Sequence, residues 1–175
     1  MAVSDSTPAE GPTADAAVAV AQVVERWREA YDRRDVEGAL DLLADDVVWV
    51  LAPGAFTGKE AARRALEWDV RLSPTVQGRL SGIGILVNGN VAVMERVAEA
   101  SAEGIGYQYP IVTIFELGDD GKIRRMRSYY DKLAIMQQVA SKYPGIKGWV
   151  LKKLTNFLVA QGEKGLERPK AANNG

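Results

Sequence analysis

The sequence predicts an α+β domain in which helices pack on one antiparallel sheet. Three observations carry that expectation. Apolar residues in the first third of the chain recur at three- and four-residue spacing, as they do on one face of a helix. From about Val76 the period changes to two, the mark of strands with one buried face. Asn88-Gly89 and Asp120-Gly121 stand between period-two runs as tight-turn dipeptides, so the strands flanking each should pair antiparallel.

The elements follow in order. Val20, Val23, Val24, Trp27 and Tyr31 form one face of a first helix that yields near Arg33. Asp35 is placed to cap a short second helix, where Val36, Ala39, Leu40 and Leu43 repeat the pattern. Residues 47–51 read as a strand ended by Pro53-Gly54. Thr57-Gly58-Lys59-Glu60 matches a capping box, opening a third helix that runs to about Val70. Strands are expected at 76–87, 91–101, 107–117 and 123–130. Asp131 is then the expected N-cap of a helix from Lys132, with Leu133, Met136, Val139 and Ala140 on its face until Pro144-Gly145. A last helix carries Trp149, Val150, Leu154, Phe157 and Leu158 on one side, flanked by Lys147, Lys152 and Lys153. Residues 1–15 read as a disordered leader, 16–141 as the domain, 142–165 as a helical extension and 166–175 as a disordered tail.

Composition narrows the chemistry. Twenty-two basic and twenty-three acidic residues leave a net charge of −1, with no extended basic run, which speaks against nucleic acid as a partner. The chain has no cysteine and no histidine, so disulfides, thiol nucleophiles, Cys-ligated zinc and Ser-His-Asp catalysis are excluded. Acid–base work falls to Asp, Glu, Tyr, Lys or Arg. An all-carboxylate magnesium site stays open, but no tight Asp/Glu cluster suggests one, and no cofactor is called for. The N-terminus lacks the basic start and apolar run of a signal peptide, which points to the cytoplasm.

The segment "VVERWREAYDRRDVEGALDLLADDVVWVLAPGAFTGKEAARRAL", and the later "MERVAEA" and "FELGDDGKIRRMRSYYD", resemble the nuclear-transport-factor-2-like superfamily. The likeness is to its ketosteroid-isomerase-like, limonene-epoxide-hydrolase-like and SnoaL-like members. It covers roughly 18–133 and implies a cone: a curved antiparallel sheet wrapped by N-terminal helices around an apolar pocket, commonly in a homodimer. Carried over by position, the epoxide hydrolases' arginine matches Arg96. Their two carboxylate positions hold Ala98 and Ser128, and their Tyr and Asn positions hold Trp49 and Leu51. The isomerases' oxyanion Tyr, general base and oxyanion Asp fall near Trp27, Leu51 and Val112. Neither standard mechanism has its full set of groups.

The residues themselves suggest a different site. Along the strand from Val91, the even positions Ala92, Met94, Arg96, Ala98 and Ala100 share one face, small and apolar apart from Arg96, as a cavity wall would be. A guanidinium there needs an anionic or hydrogen-bonding partner, and Asp69 is the expected one, at the edge of the third helix's apolar face. For Asp69 the preferred reading is a surface carboxylate at a helix end, while Arg96 reads equally as a structural ion-pair residue. Met126, Ser128 and Tyr130 share the inward face of the last strand, and Trp49 and Tyr31 complete an aromatic lining.

The expected function is a pocket for a small apolar oxygenated molecule (steroid, terpenoid or polyketide). Its chemistry would be cofactor-free isomerisation, cyclisation or epoxide opening: Arg96 would bind negative charge, Asp69 shuttle a proton and Tyr130 orient the substrate oxygen. Trp49, Leu51, Tyr31, Met94, Ala98, Met126 and Ser128 would line the pocket. The alternative is a ligand-binding or dimeric assembly subunit that kept the fold and lost the chemistry. The odd face of the Arg96 strand, Val and Glu, would meet a second subunit. For the last helix two readings stand: docking over the sheet or pocket mouth, the preferred one, and shallow attachment to an anionic membrane surface.

Overall fold

The computed structural model describes residues 14–162. The expected leader and tail lie outside that range, except for Ala14 and Asp15, which open the first helix. The chain divides into two compact units, Met1–Asp131 and Lys132–Gly175.

In the first unit, α1 (Ala14–Asp32) buries Val23, Val24, Trp27 and Ala30, the spacing of one helical face. The chain then turns sharply at Arg34, whose φ of 60° is left-handed. Asp35 caps α2 (Val36–Leu40) by accepting the Gly38 amide at 2.8 Å, as its position predicts. The helix is shorter than expected, because Leu43 already belongs to β1 (Leu43–Leu51).

Pro53-Gly54 does more than end that strand. Gly54 opens β2 (Gly54–Thr57), a return strand that the sequence reading missed, paired antiparallel from Leu51↔Gly54 to Val48↔Thr57. The capping box is corrected for the same reason. Thr57 is held in the sheet, so α3 (Lys59–Leu72) starts from Gly58 at φ 85° with no side-chain cap.

Four long strands follow: β3 (Thr75–Asn88), β4 (Val91–Ala102), β5 (Ile105–Leu117) and β6 (Ile123–Tyr130). They lie within one or two residues of expectation. The turns at Gly89 and Gly121 both use left-handed glycines and join antiparallel neighbours. The six-stranded sheet runs β2-β1-β6-β5-β4-β3, with β1 and β6 parallel. An irregularity between Leu80 and Ile85, where Gly82 and Gly84 are left-handed, bends edge strand β3.

One face of this curved sheet is covered by α1 and α3. Val24, Trp27, Leu40, Leu43, Val47, Trp49, Met94, Phe115 and Met126 make the main core there. A smaller cluster of Val76, Ala98, Ala100 and Ile111 continues it.

The second unit contains α4 (Lys132–Lys142) and α5 (Gly145–Gly162). No helix among the described residues is long and apolar enough to cross a membrane.

Candidate functional site

A small cavity opens between the sheet and the helices of the first unit. Helix α1 supplies Trp27 and Tyr31, β1 supplies Trp49 and Leu51, and α3 supplies Trp68 and Asp69. The sheet closes it with Arg96 from β4, Tyr109, Ile111 and Thr113 from β5, and Ser128 and Tyr130 from β6. Its volume is about 40 Å³, room for about three waters at ~10–15 Å³ each. A drug-sized ligand fills several hundred Å³, about 300 or more, so the wall must yield to admit one. Trp68, 40% exposed, is the ring with most freedom to move.

Two carboxylates organise the charges around the cavity. Asp69 accepts the Tyr31 hydroxyl at 2.7 Å and Arg34 Nη1 at 2.8 Å, both on Oδ2. Among the described residues its Oδ1 accepts no hydrogen bond. The left-handed Arg34 makes this possible, since it reaches from the end of α1 to Asp69 and to the Ser73 carbonyl at the end of α3. The second carboxylate is Asp32, the last residue of α1. It accepts Arg96 Nη1 at 2.7 Å on Oδ1, and Arg28 Nη1 at 3.0 Å on Oδ2. Arg96 is 2% exposed, so this pair lies where an unpaired charge would be costly.

Gly78 on β3 makes room for it. A Cβ there would sit 2.6 Å from Arg96 Nη1 and 3.0 Å from its Cδ. The Gly78 amide also donates to Asp32 at 3.3 Å, and its carbonyl accepts Arg28 at 3.4 Å.

The aromatic residues join the two charge clusters. Tyr31 stacks on Trp27 at 5.0 Å, and the guanidinium carbons of Arg34 and Arg96 lie 5.0 and 5.3 Å from its ring centre. Burial pushes the Tyr31 hydroxyl well above its ordinary 10.0, and the Asp69 charge pushes the same way. Tyr109 and Tyr130, packed at 5.5 Å, are raised for the same two leading reasons. All three therefore remain neutral hydrogen-bond donors across the physiological range. The indole Nε1 atoms of Trp27 and Trp49 are buried with no hydrogen-bond partner.

Seven of the residues singled out from sequence meet on this wall: Arg96, Asp69, Tyr130, Trp49, Leu51, Tyr31 and Ser128. Met94 and Met126 are fully buried in the main core, and Ala98 in the smaller cluster, so these three lie behind the wall. The expected Asp69–Arg96 pair is corrected. Arg96 is bound by Asp32, and Asp69 by Tyr31 and Arg34. Asp32, Arg34, Trp68 and Tyr109 were missed. The Arg28–Asp32 spacing of four was a visible signal for Asp32, while Arg34 gave none, because its reach depends on a backbone turn. No group of three or more acidic side chains is arranged to hold a metal ion among the described residues.

Comparison with known proteins agrees with this fold. A family model described as a SnoaL-like domain matches residues 24–126. No curated protein matches the sequence. Among solved structures, an LEH-like epoxide hydrolase of Mycobacterium tuberculosis is similar at 18% identity and a TM-score of 0.61, over 79% of this chain and 97% of that one. A protein of ketosteroid isomerase-like fold from Catenulispora acidiphila, in complex with trimethylamine, shares 19% identity with a TM-score of 0.61. That match covers 67% of this chain and 91% of the other. A candidate polyketide cyclase from Xanthomonas campestris shares 25% identity with a TM-score of 0.57, over 66% and 92% of the two chains.

Proposed function

The chain belongs to the SnoaL-like domain family, and from that membership we propose that its cavity takes a small, largely apolar oxygenated molecule and that Asp69 moves a proton on it. The observation that carries this reading is the state of Asp69. One of its oxygens is fixed by Tyr31 and Arg34, and the other accepts nothing among the described residues, on the wall of an aromatic cavity. A positioned carboxylate of this kind is a proton acceptor. Taking a proton from carbon beside a carbonyl would place negative charge on the ligand oxygen. The neutral hydroxyls of Tyr109 and Tyr130, both on the cavity wall, are the donors available to stabilise it. Returning the proton at another carbon gives an isomerisation, and attack by the enolate carbon on a second carbonyl gives a cyclisation.

Epoxide opening is less well supported. Arg96 has its charge answered by Asp32, and Ala98 and Ser128 offer no carboxylate to activate water. Substrates of steroid, terpenoid or polyketide type fit the wall chemistry, with Trp68 displaced to accommodate them.

Asp69→Asn tests the reading. The isosteric amide should keep ligand binding and lower turnover by about 10²–10⁴-fold. Unchanged turnover would remove Asp69 from the mechanism. A second reading, a ligand-binding or dimeric assembly subunit without chemistry, is favoured by the neutral side chains at Ala98 and Ser128. As a ligand-binding subunit the unsubstituted protein would retain ligand without converting it, and as an assembly subunit it would retain none.

A further inference from the structure

The second unit carries a surface that the proposed chemistry does not use. On the eighteen-residue helix α5, Ile146, Trp149, Val150, Leu154, Phe157 and Leu158 are all exposed. Ile146 reaches 82%, Phe157 60% and Trp149 59%. Thr155, on the other side of the helix, is buried and returns its hydroxyl to the Leu151 carbonyl at 2.9 Å. So many large apolar side chains on one water-facing surface mark an interaction site.

Charge indicates what covers it. Residues 132–162 contain five lysines and no acidic residue. The whole chain is −1, so the remaining residues carry a net −6. The positive charge is interleaved with the apolar surface: Lys147, Lys152 and Lys153 are on α5 itself, and Lys153 Nζ lies 4.5 Å from the Trp149 ring centre. Long lysine stems can lie along an apolar surface while their heads reach outward to anions, and indole is suited to the boundary between water and hydrocarbon.

We propose that α5 lies in the headgroup region of an anionic lipid bilayer, its apolar side chains entering the acyl boundary and its lysines meeting lipid phosphates. The helix is about 27 Å long at ~1.5 Å per residue, yet too polar to cross a membrane, so it lies in the plane. A second copy fits this face less well, because a two-fold interface would set lysine-rich surface against itself. Nucleic acid would use the lysines and leave the apolar side chains in water.

The test is co-sedimentation of the full chain with vesicles of phosphatidylglycerol and phosphatidylcholine in equal parts, against phosphatidylcholine alone. The chain should pellet with the anionic vesicles and be released as salt rises. Lys147→Gln, Lys152→Gln and Lys153→Gln together should weaken partition on the order of a hundredfold, about fivefold for each lysine. Trp149→Ser with Phe157→Ser should abolish it while circular dichroism and solution mass stay unchanged. Tryptophan emission of the unsubstituted chain should shift blue on vesicle addition, and the conservative Trp149→Phe variant should lose that shift. A chain that stays in the supernatant with anionic vesicles overturns the proposal. So do variants that pellet like the parent, a blue shift that survives Trp149→Phe, or a fall in lipid-free mass in the serine variant, which would give the face to a second copy.

Discussion

Arg96 lies 2% exposed with Asp32 at 2.7 Å, and the two residues should respond very differently to truncation. Asp32→Ala strands a buried guanidinium and should cost about 3–5 kcal/mol, read as a lowered midpoint in urea. Arg96→Met replaces the charge by an apolar chain of similar length and leaves Asp32 with Arg28, so it should cost little or even stabilise. Equal losses from both would show that the pair itself is not the source of the cost. Arg96 was legible in sequence as the one charge on an otherwise small apolar strand face. Its partner was not, because the meeting of α1's last residue with the middle of β4 is set by tertiary packing. The tyrosines give a second prediction. Tyr31, Tyr109 and Tyr130 all titrate above the ordinary 10.0. Stability held by their protonated hydroxyls is fully present below that pH and is lost as the pH rises past it toward the raised values. In an absorbance titration of the folded protein, part of the tyrosinate signal should therefore be delayed until alkaline unfolding. A single transition near the ordinary value would contradict the enclosed cluster.

Among the elements, β4 was read best. Its even residues from Ala92 to Ala100 are buried and all but one of its odd residues are partly exposed, with Glu99 fully so, because a sheet with one covered face imposes a period of two. The glycine turns and the Asp35 cap were legible for a similar reason, since each depends on chemistry local to a few residues. Strand β2 was not. Four residues are too few to show a period, and its pairing with β1 made Thr57 a strand residue rather than a helix cap. The parallel β1–β6 pair was also hidden, being a contact between residues some eighty positions apart. Gly78 shows how one strand accommodates another's side chain. Gly78→Ala should cost about 1–3 kcal/mol by driving a methyl group into Arg96, which its ion pair and burial hold in place. Full stability in that variant, by thermal or urea unfolding, would mean that Arg96 has room to move.

For the whole molecule, the face of the sheet turned away from the cavity remains to be explained. Leu86 on β3 and Tyr129 on β6 are exposed there, and the Val and Glu positions of β4 are only partly covered. We propose that a second copy covers this face in a two-fold dimer. Light scattering should give twice the chain mass of 19.0 kDa, and Leu86→Glu should reduce it to the monomer. A monomeric parent would reject the dimer and leave the cavity untouched, since all the lining residues come from one chain. The fold was legible because periodicity and turn chemistry agree along most of the first unit. The site was legible only in part, because long-range pairing chooses which carboxylate meets which arginine. Ligand capture by the cavity is best measured by native mass spectrometry of the protein against steroids, terpenoid epoxides and polyketide-like phenols. A ligand should be retained, and it should be lost when Ser128→Trp fills the cavity; a folded protein that retains none, or retains it equally in the filled variant, would contradict a ligand site at Asp69.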